Sequence, residues 1–474
     1  MNTCWVEKEI EDVNLEDERL NRRLGIVLSA LGNRPTSSIP EACGGYAEMK
    51  AAYRFFSNEK ATFTFLLEPH VESTKSRISN YSVVLLVQDT TEIDLTKPNQ
   101  QMKGVGFLDH SRRGILLHNQ QAFTPDGTPL GSVGAEILRK EKKRSIKKER
   151  GNYKNKPIEK KESYRWLSGL QTAKEISEEL PNTHFISVTD SESDIYEFFS
   201  ELSGDKGDVD IILRSCQNRR LISNENTESL LYEEISNSPI QFNTEIAIRA
   251  RKQTKISCED RRRRKPRTSR KSLFAVRVAT VTLKPPYRSD RKLTPVIVNA
   301  VSVCELKPPK GEEPIEWILL TTLPVNKKKN VELIIKYYSV RWMIEILFKT
   351  LKSGCCVEER QFEHIDHFES CLALYLIIAW RALYVCRIAR SSPGMSCEKI
   401  FDPSEWKAVY MVINKKPPPK KIPNIMQTLE MVAQLGGYIK RNGNPPGPKS
   451  TWVGLQRAHD FALAWTTFGP GANK

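Results

Sequence analysis

The pattern of apolar and polar residues is helical at the start of the chain. Apolar residues recur at helical spacing through Leu24, Val27 and Leu31, and a second helical stretch with basic and aromatic residues follows Pro40. Helices of this composition can lie against DNA, or they can simply pack on the next domain. We therefore predict a helical amino-terminal domain over residues 1–66.

The pattern then changes to that of strands. The apolar run Val83–Val87 predicts a buried strand ending in Asp89, with GILLHNQQAF as a pairing partner. THFISVTD predicts a second buried strand that ends in Asp190. Since ligands of open α/β sheets bind outside the carboxyl ends of the strands, the two aspartates are candidates for one site. Each also has a structural explanation, because Asp190 can cap the next helix and Asp89 can start a turn.

A β-rich segment and two basic runs follow. Residues 208–322 contain five strand-like stretches, which we interpret as an inserted β-rich subdomain. The charged segment Ile137–Ser163, with Arg139–Arg150 inside it, and the run Arg261–Lys271 cannot bury a core. They predict flexible loops that either contact the DNA backbone or are simply solvated.

The stretch YYSVRWMIEILFKTLKSG, residues 337–354, predicts an amphipathic helix with two distinct faces. Advancing about 100° per residue places Arg341, Glu345, Lys349 and Lys352 on one side with Tyr338, away from the apolar residues. Pairs at i,i+4 make a solvated salt-bridge ladder a sufficient explanation for this helix alone. If its apolar side packs on the sheet, Glu345 instead joins the two aspartates.

The chain is strongly basic, with 73 Lys and Arg against 57 Asp and Glu, a formal net charge of +16 and a pI of about 9.3. Such a protein is attracted to polyanions, and nucleic acid is the expected partner. The longest apolar run, Cys371–Cys386, is interrupted by Arg381 and predicts a buried helix and no membrane span.

The cysteines, the histidines and the first residues of the chain add little to this picture. The ten cysteines form no CxxC pair, and His364 and His367 have no further zinc ligands near them in the sequence. The first residues, MNTCWVEKEI, do not resemble a signal peptide. We expect reduced thiols, no zinc site and a cytoplasmic protein.

A cluster of three carboxylates, Asp89, Asp190 and Glu345, repels itself unless cations neutralise it. Hard oxygen ligands favour Mg²⁺ or Mn²⁺. Two such ions can activate a water or a 3′-hydroxyl on one side of a phosphodiester and stabilise the leaving oxygen on the other. The basic residues of the helix would then hold phosphates.

These motifs resemble the DDE transposases of the insertion-sequence-four family, which includes the cut-and-paste transposase of transposon five. The resemblance covers nearly the whole chain and rests on VQDTT, SVTDSESDIYEFF and YSVRWMIEILFKTLKSG, in that order. In the family the last motif is spaced Y-x2-R-x3-E-x6-K. That signature is met here by Tyr338, Arg341, Glu345 and Lys352.

The resemblance implies a ribonuclease-H-like catalytic core with the β-rich insertion, flanked by helical domains. The implied boundaries are 1–66 for DNA binding, 67–365 for catalysis and 366–474 for dimerisation. It further implies that Asp89, Asp190 and Glu345 bind two Mg²⁺ ions, for which Mn²⁺ can substitute.

The activity implied is cut-and-paste transposition by strand cleavage at transposon ends, hairpin formation and strand transfer into target DNA. Tyr338, Arg341 and Lys352 would hold the DNA, and Trp317 would support a flipped base, although a tryptophan on a strand is also an ordinary core residue. The partners implied are double-stranded DNA, carrying the terminal inverted repeats or the target site, and a second copy of the chain. The location implied is the cytoplasm of a bacterium, in association with the nucleoid.

Two other functions fit the same residues. One is a catalytically silent, transposase-derived DNA-binding or inhibitor protein, against which three intact carboxylates argue because like charges are costly to keep together. The other is a structure-specific nuclease, which would use the same metals without rejoining ends. The basic segment Ile137–Ser163 and the prolines of Asn414–Lys421 depart from the pattern of transposon five, so end recognition and dimer geometry are the features least safely transferred.

Overall fold

Helices dominate both ends of the chain and strands its middle, as the hydrophobic pattern predicts. The computed structural model describes residues 5–97, 101–140, 156–203, 208–222, 229–248, 250, 267–440 and 444–469. The chain divides into two compact units. Unit 1 contains residues 1–150, 176–184 and 340–474, and unit 2 contains residues 151–175 and 185–339.

The helices of the structure are numbered in chain order. They are α1 Trp5–Glu9, α2 Glu18–Asn33, α3 Ile39–Cys43, α4 Tyr46–Phe56, α5 Phe63–Ile78, α6 Tyr164–Glu179, α7 Tyr196–Ser200, α8 Leu231–Asn237, α9 Lys328–Val340, α10 Trp342–Lys349, α11 Ile365–Ser391, α12 Pro403–Asn414, α13 Ile425–Leu435 and α14 Pro448–Phe468.

The strands are numbered in the same way. They are β1 Val83–Asp94, β2 Gly106–Phe107, β3 Arg113–Phe123, β4 Pro129–Leu138, β5 His184–Thr189, β6 Val209–Arg214, β7 Ile240–Ile248, β8 Arg270–Leu283, β9 Val296–Glu305 and β10 Glu316–Thr321. The mixed α/β class expected from the sequence is confirmed.

In unit 1, strand β3 lies at the centre of an antiparallel arrangement. It pairs with β1 on one edge and with β2 and β4 on the other, so the predicted pairing of GILLHNQQAF with the first strand is confirmed. The turn between β3 and β4 contains Gly127 at φ 84°, a left-handed conformation that glycine adopts without strain. The register places Asp89 directly opposite Asn119.

The amino-terminal segment of unit 1 is helical, as predicted. Helix α2 is capped by Asp17, whose carboxylate accepts from the backbone N–H of Arg19 at 2.8 Å. Its residues Leu24 and Leu31 are fully buried. The second helical stretch is divided by Gly44, at φ 76°, into α3 and α4.

Helix α11 is the buried helix that the apolar run Cys371–Cys386 predicts. By length and composition it is the single described helix that could cross a membrane, but 78% of its apolar window is buried inside the protein. Residues Leu372, Leu376 and Leu383 have no exposed surface. Its carboxyl-terminal half packs with α12, α13 and α14 around a common apolar core. The proline-containing segment Asn414–Lys421 therefore joins helices that share one core.

In unit 2 the strands form one ordered series. Strand β5 pairs in parallel with β6, and β6 pairs with β10, which is followed by β9, β8 and β7, all antiparallel. All five strands predicted between residues 208 and 322 are present. They extend the strand series that begins with β5, because β6 hydrogen-bonds to both β5 and β10, and so they do not make a separate sheet.

The basic runs lie largely outside the described residues, which omit 141–155 and 251–266. Their described ends make ion pairs inside their own units. Arg139 binds Asp366 at 2.5 Å and Glu369 at 2.6 Å. Arg270 binds Glu305 at 2.9 Å, and it also binds Glu312. These two arginines support their own fold, and the loops as DNA contacts remain a prediction.

Candidate active site

Asp89 lies in the middle of strand β1, and the expectation that it ends the strand is wrong. The strand continues to Asp94 because β3 pairs with it from Leu85, opposite Phe123, to Asp94, opposite Gly114. The side chains become polar at Gln88, and burial decreases from Asp89 onward. The apolar run therefore ended where the strand becomes polar and not where the strand ends. The Asp89 carboxylate accepts from the backbone N–H of Thr90 at 2.8 Å.

Within unit 1, Arg341 links Asp89 and Glu345, which are two of the three predicted carboxylates. One guanidinium nitrogen donates to Asp89 Oδ2 at 2.9 Å and another donates to Glu345 Oε1 at 2.5 Å. The side chains are 15% exposed for Arg341 and Asp89 and 34% for Glu345. Two negative charges and one positive charge leave this cluster, which we call the Arg341 cluster, with a net charge of −1.

The helix of the predicted site is less regular than its sequence suggests. Helix α9 ends at Val340, α10 begins at Trp342, and the segment Thr350–Gly354 continues as a π-helix. The apolar side is as predicted, since Ile344, Leu347 and Leu351 have no exposed surface. Lys349 is exposed, in keeping with a solvated residue.

Lys352 lies in the π-helical segment, and its charge is surrounded by other charges of unit 1. Its ammonium lies 3.9 Å from Glu358. Burial lowers the pKa of Lys352, while the carboxylates of Glu358, Glu92 and Asp94 act in the opposite direction. A π-helix has more residues per turn than an α-helix, so the position of Lys352 relative to Glu345, which the 100° wheel predicts, stays a prediction.

Asp190 belongs to unit 2 and follows strand β5 directly, as predicted. Its carboxylate accepts from the backbone N–H of Glu192 at 2.8 Å and so caps the short 3₁₀ turn Ser191–Ser193. Both explanations offered by the sequence therefore apply to its place in the chain: it is a strand-ending aspartate and it is a cap.

Trp317 and Tyr338 come together in unit 2. Their ring centroids are 6.3 Å apart, and Trp317 on β10 also stacks on Phe274 of β8 at 6.1 Å with an interplanar angle of 19°. Tyr338 is 9% exposed and Trp317 is half-buried. Two predicted DNA-binding aromatics thus form one aromatic group.

The test for a metal site has a mixed outcome. Among the described residues, no group of three or more His, Cys, Asp or Glu side chains lies close enough together to hold a metal ion. However, Asp89 and Glu345 already bind a common cation, the Arg341 guanidinium, from two sides. Their oxygens are the donors that a hard divalent ion prefers, so this pair fits such an ion.

Sequence reasoning missed buried polar residues on the strand that pairs with Asp89 and a buried ion pair in unit 2. On β3, His118 is 4% exposed and its Nδ1 lies 2.9 Å from Thr90 Oγ1, while Asn119 has no exposed surface. In unit 2, Asp194 is 1% exposed and pairs with Arg219 at 2.5 Å. The polar sequence HNQQ inside an apolar strand was the available signal for the first two.

Comparison with known families assigns the whole architecture to one kind of protein. Residues 2–61 match the family described as transposase DNA-binding, residues 131–381 the transposase DDE domain, and residues 377–465 the transposase Tn5 dimerisation domain. The second match alone covers more than half of the chain.

One similar solved structure is described as a cryo-EM structure of the piggyBac transposase synaptic complex with hairpin DNA. It is 11% identical, covers 81% of this chain and 72% of that chain, and has a TM-score of 0.33.

Proposed function

The chain belongs to the insertion-sequence-four family of DDE transposases, and from this premise we propose that it performs cut-and-paste transposition. It is a metal-dependent DNA transposase with DNA-binding and dimerisation regions. The proposed reaction cleaves one strand at each transposon end, forms a hairpin with the freed 3′-hydroxyl, reopens it and joins the end to target DNA.

We assign metal binding to Asp89, Asp190 and Glu345, in a core of the ribonuclease-H-like type. The observation that carries this assignment is the Arg341 cluster, where two of the three carboxylates hold one cation between them. When bound, two Mg²⁺ ions, or Mn²⁺ in their place, supply activation of the attacking oxygen and stabilisation of the leaving one. Arg341 keeps Asp89 and Glu345 close together despite their like charges.

We assign the DNA contacts to Tyr338, Arg341, Lys352 and Trp317. The aromatic group of Trp317 and Tyr338 offers a face on which a flipped base can stack, and stacking offsets the few kcal/mol that flipping costs. Arg341 and Lys352 lie on either side of Glu345 in the same motif and can bind phosphate oxygens. Their shared role is to hold the strand while it is cut.

We also propose the division into residues 1–66 for recognition of transposon ends, 67–365 for catalysis and 366–474 for pairing of two protomers. The family matches support DNA binding near the first boundary and dimerisation near the last. The active species is then a homodimer that holds two ends, in the cytoplasm and associated with the nucleoid.

The test is cleavage of DNA that carries the inverted repeats flanking the coding sequence. With Mg²⁺, wild type is expected to give nicks, hairpins and joined products, whereas Glu345→Gln binds the same DNA without cutting it. Lys352→Ala is expected to lose hairpin product, and Lys349→Ala, one turn away and exposed, serves as its matched control. Wild-type binding without any cleavage would instead identify a silent DNA-binding protein.

A nuclease that never rejoins ends predicts a different product pattern. It would give nicks and double-strand breaks with the same metal dependence, but no hairpins and no joined products. The aromatic group of Trp317 and Tyr338 favours hairpin chemistry, since simple hydrolysis does not require a base to leave the stack.

A further inference from the structure

Four consecutive polar residues are buried in strand β3, next to Asp89. His118 is 4% exposed, Asn119 and Gln121 have no exposed surface, and Gln120 is 2% exposed. The family assignment and the proposed site leave these side chains without a role. A buried strand normally carries apolar residues at such positions, so this stretch needs a physical explanation.

Several of these amide atoms lack hydrogen-bond partners. They are Asn119 Oδ1, both polar atoms of the Gln120 side chain, and Gln121 Nε2. Each unsatisfied buried polar atom costs about 1–3 kcal/mol. Replacing such groups with apolar ones of similar shape would increase the free energy of unfolding. The stability of the fold therefore gives no reason for these polar side chains.

The strand register distinguishes Asn119 from Gln120. Asn119 is directly opposite Asp89 in the antiparallel pair, so both side chains lie on the same face and side by side. Gln120 is opposite Gln88 and therefore points to the other face. The two adjacent amides are equally buried, but only one of them is beside the carboxylate.

The orientation of the Asn119 amide is set by its neighbours. Its Nδ2 donates to Gln121 Oε1 at 3.4 Å, and that oxygen also accepts from Ser132 Oγ at 2.9 Å. This arrangement uses the amide nitrogen and leaves Oδ1 as an acceptor beside Asp89. An unused acceptor next to a candidate metal-binding carboxylate can receive a proton of a metal-bound water.

We propose that Asn119 is a positioning residue of the metal site, whose Oδ1 accepts a hydrogen bond from a water bound to the metal ion at Asp89. The inference rests on the proposed function, since it requires a metal ion at Asp89. Its effect is to orient that water and to strengthen metal binding without direct ligation. Residues in this position typically change metal affinity by 10–100-fold.

The test measures Mn²⁺ binding to the full-length protein by electron paramagnetic resonance. The site is defined as the binding that Asp89→Asn abolishes. Asn119→Leu, which keeps the branched shape but has no acceptor, is expected to weaken this binding at least about tenfold. Gln120→Met, an apolar replacement of the adjacent amide on the other face, is the matched control and is expected to bind as wild type does.

Thermal unfolding separates this role from a structural one. Both Asn119→Leu and Gln120→Met remove unpaired buried atoms and are expected to leave the midpoint unchanged or raise it. Should Asn119→Leu fail to fold because leucine is larger, Asn119→Ala carries the same expected loss of Mn²⁺ binding. Wild-type Mn²⁺ affinity in a folded Asn119 variant overturns the inference and leaves the proposed function intact. If Asp89→Asn also binds like wild type, the metal assignment itself fails, and both proposals fall.

Discussion

Two of the clusters of unit 1 in which an arginine binds carboxylate oxygens differ in how completely their charges are used. In the first, which we call the Glu9 cluster, Arg77 donates to both oxygens of Glu9 at 3.0 Å, and His70 Nδ1 lies 2.5 Å from Glu9 Oε1. His70 Nε2 accepts from the backbone N–H of Ser132 at 3.0 Å. In the Arg341 cluster, one arginine instead donates one hydrogen bond to Asp89 and one to Glu345.

The two clusters show how the same groups can serve stability or chemistry. Glu9 and Arg77 balance each other beside a neutral imidazole, and the side chains of Glu9 and His70 are only 4% and 0% exposed. The Arg341 cluster keeps a net negative charge and is partly open to solvent, with Glu345 34% exposed. A balanced, buried cluster has nothing left to bind, whereas an open cluster with excess negative charge attracts a cation.

The largest expected effect is the loss of cleavage when the Arg341 cluster loses a carboxylate. Asp89→Asn is expected to reduce strand cleavage by on the order of a thousandfold, because a metal ligand is removed. The free energy of unfolding should change by less than about 1 kcal/mol, since Arg341 keeps Glu345 as its counter-ion and the substitution also removes the repulsion between Asp89 and Glu345. Gel analysis of cleavage products and urea unfolding check the two parts. A large loss of stability would mean that the cluster is structural after all.

The opposite result is expected for the Glu9 cluster. Glu9→Gln leaves Arg77 without its counter-ion and should destabilise the protein by about 2 kcal/mol, toward the lower end for a broken buried pair because Arg77 is 23% exposed. Cleavage by the protein that remains folded should be unchanged. Glu363→Gln, in the exposed pair with Lys103, is the control and should leave the urea midpoint as it is. Equal midpoints for the two variants would remove the distinction between the clusters.

The sequence predicted those parts of the site that depend on local pattern. The buried run before Asp89, the strand ending at Asp190 and the apolar side of α10 all follow from short-range periodicity. The continuation of β1 to Asp94 depends on its pairing with β3, and the π-helical segment that contains Lys352 is not visible in the periodicity of the sequence. The Glu9 cluster joins residues 61 and 68 positions apart, which no periodicity in one segment can reveal.

A smaller effect that sharpens the comparison is expected from Arg341 itself. Arg341→Gln removes the cation that competes for Asp89 and Glu345, so Mn²⁺ binding to the free protein should become tighter, by about tenfold for roughly 1.4 kcal/mol of lost competition. Cleavage should nevertheless fall, because Arg341 is also a proposed DNA contact. Mn²⁺ titration and cleavage assays on the same preparation test the two directions. Weaker Mn²⁺ binding would mean that Arg341 organises the carboxylates more than it competes with the metal.

The smallest effect is the dependence of stability on pH that the Glu9 cluster contributes. Burial lowers the pKa of His70 below its ordinary value near 6.5, although Glu9 acts in the opposite direction. The hydrogen bond that Nε2 accepts from Ser132 also requires the unprotonated nitrogen. As the pH falls below about 6.5, the unfolded chain takes up a proton before the folded one does, so stability is full above that value and decreases below it.

Glu9 adds a loss of the same sign in a separate, more acidic range. Burial alone would raise the pKa of Glu9, but the hydrogen bond from His70 and the charge and hydrogen bonds of Arg77 lower it from 4.5, so its contribution is lost only as the pH falls below that value. Urea unfolding between pH 7.5 and 5.5 therefore isolates His70. The stability difference between wild type and His70→Phe should be greater at pH 7.5 than at pH 5.5, because only wild type loses stability to protonation of this imidazole. A difference that grows toward acid would show that His70 is charged in the fold, and the balance attributed to the Glu9 cluster would then be wrong.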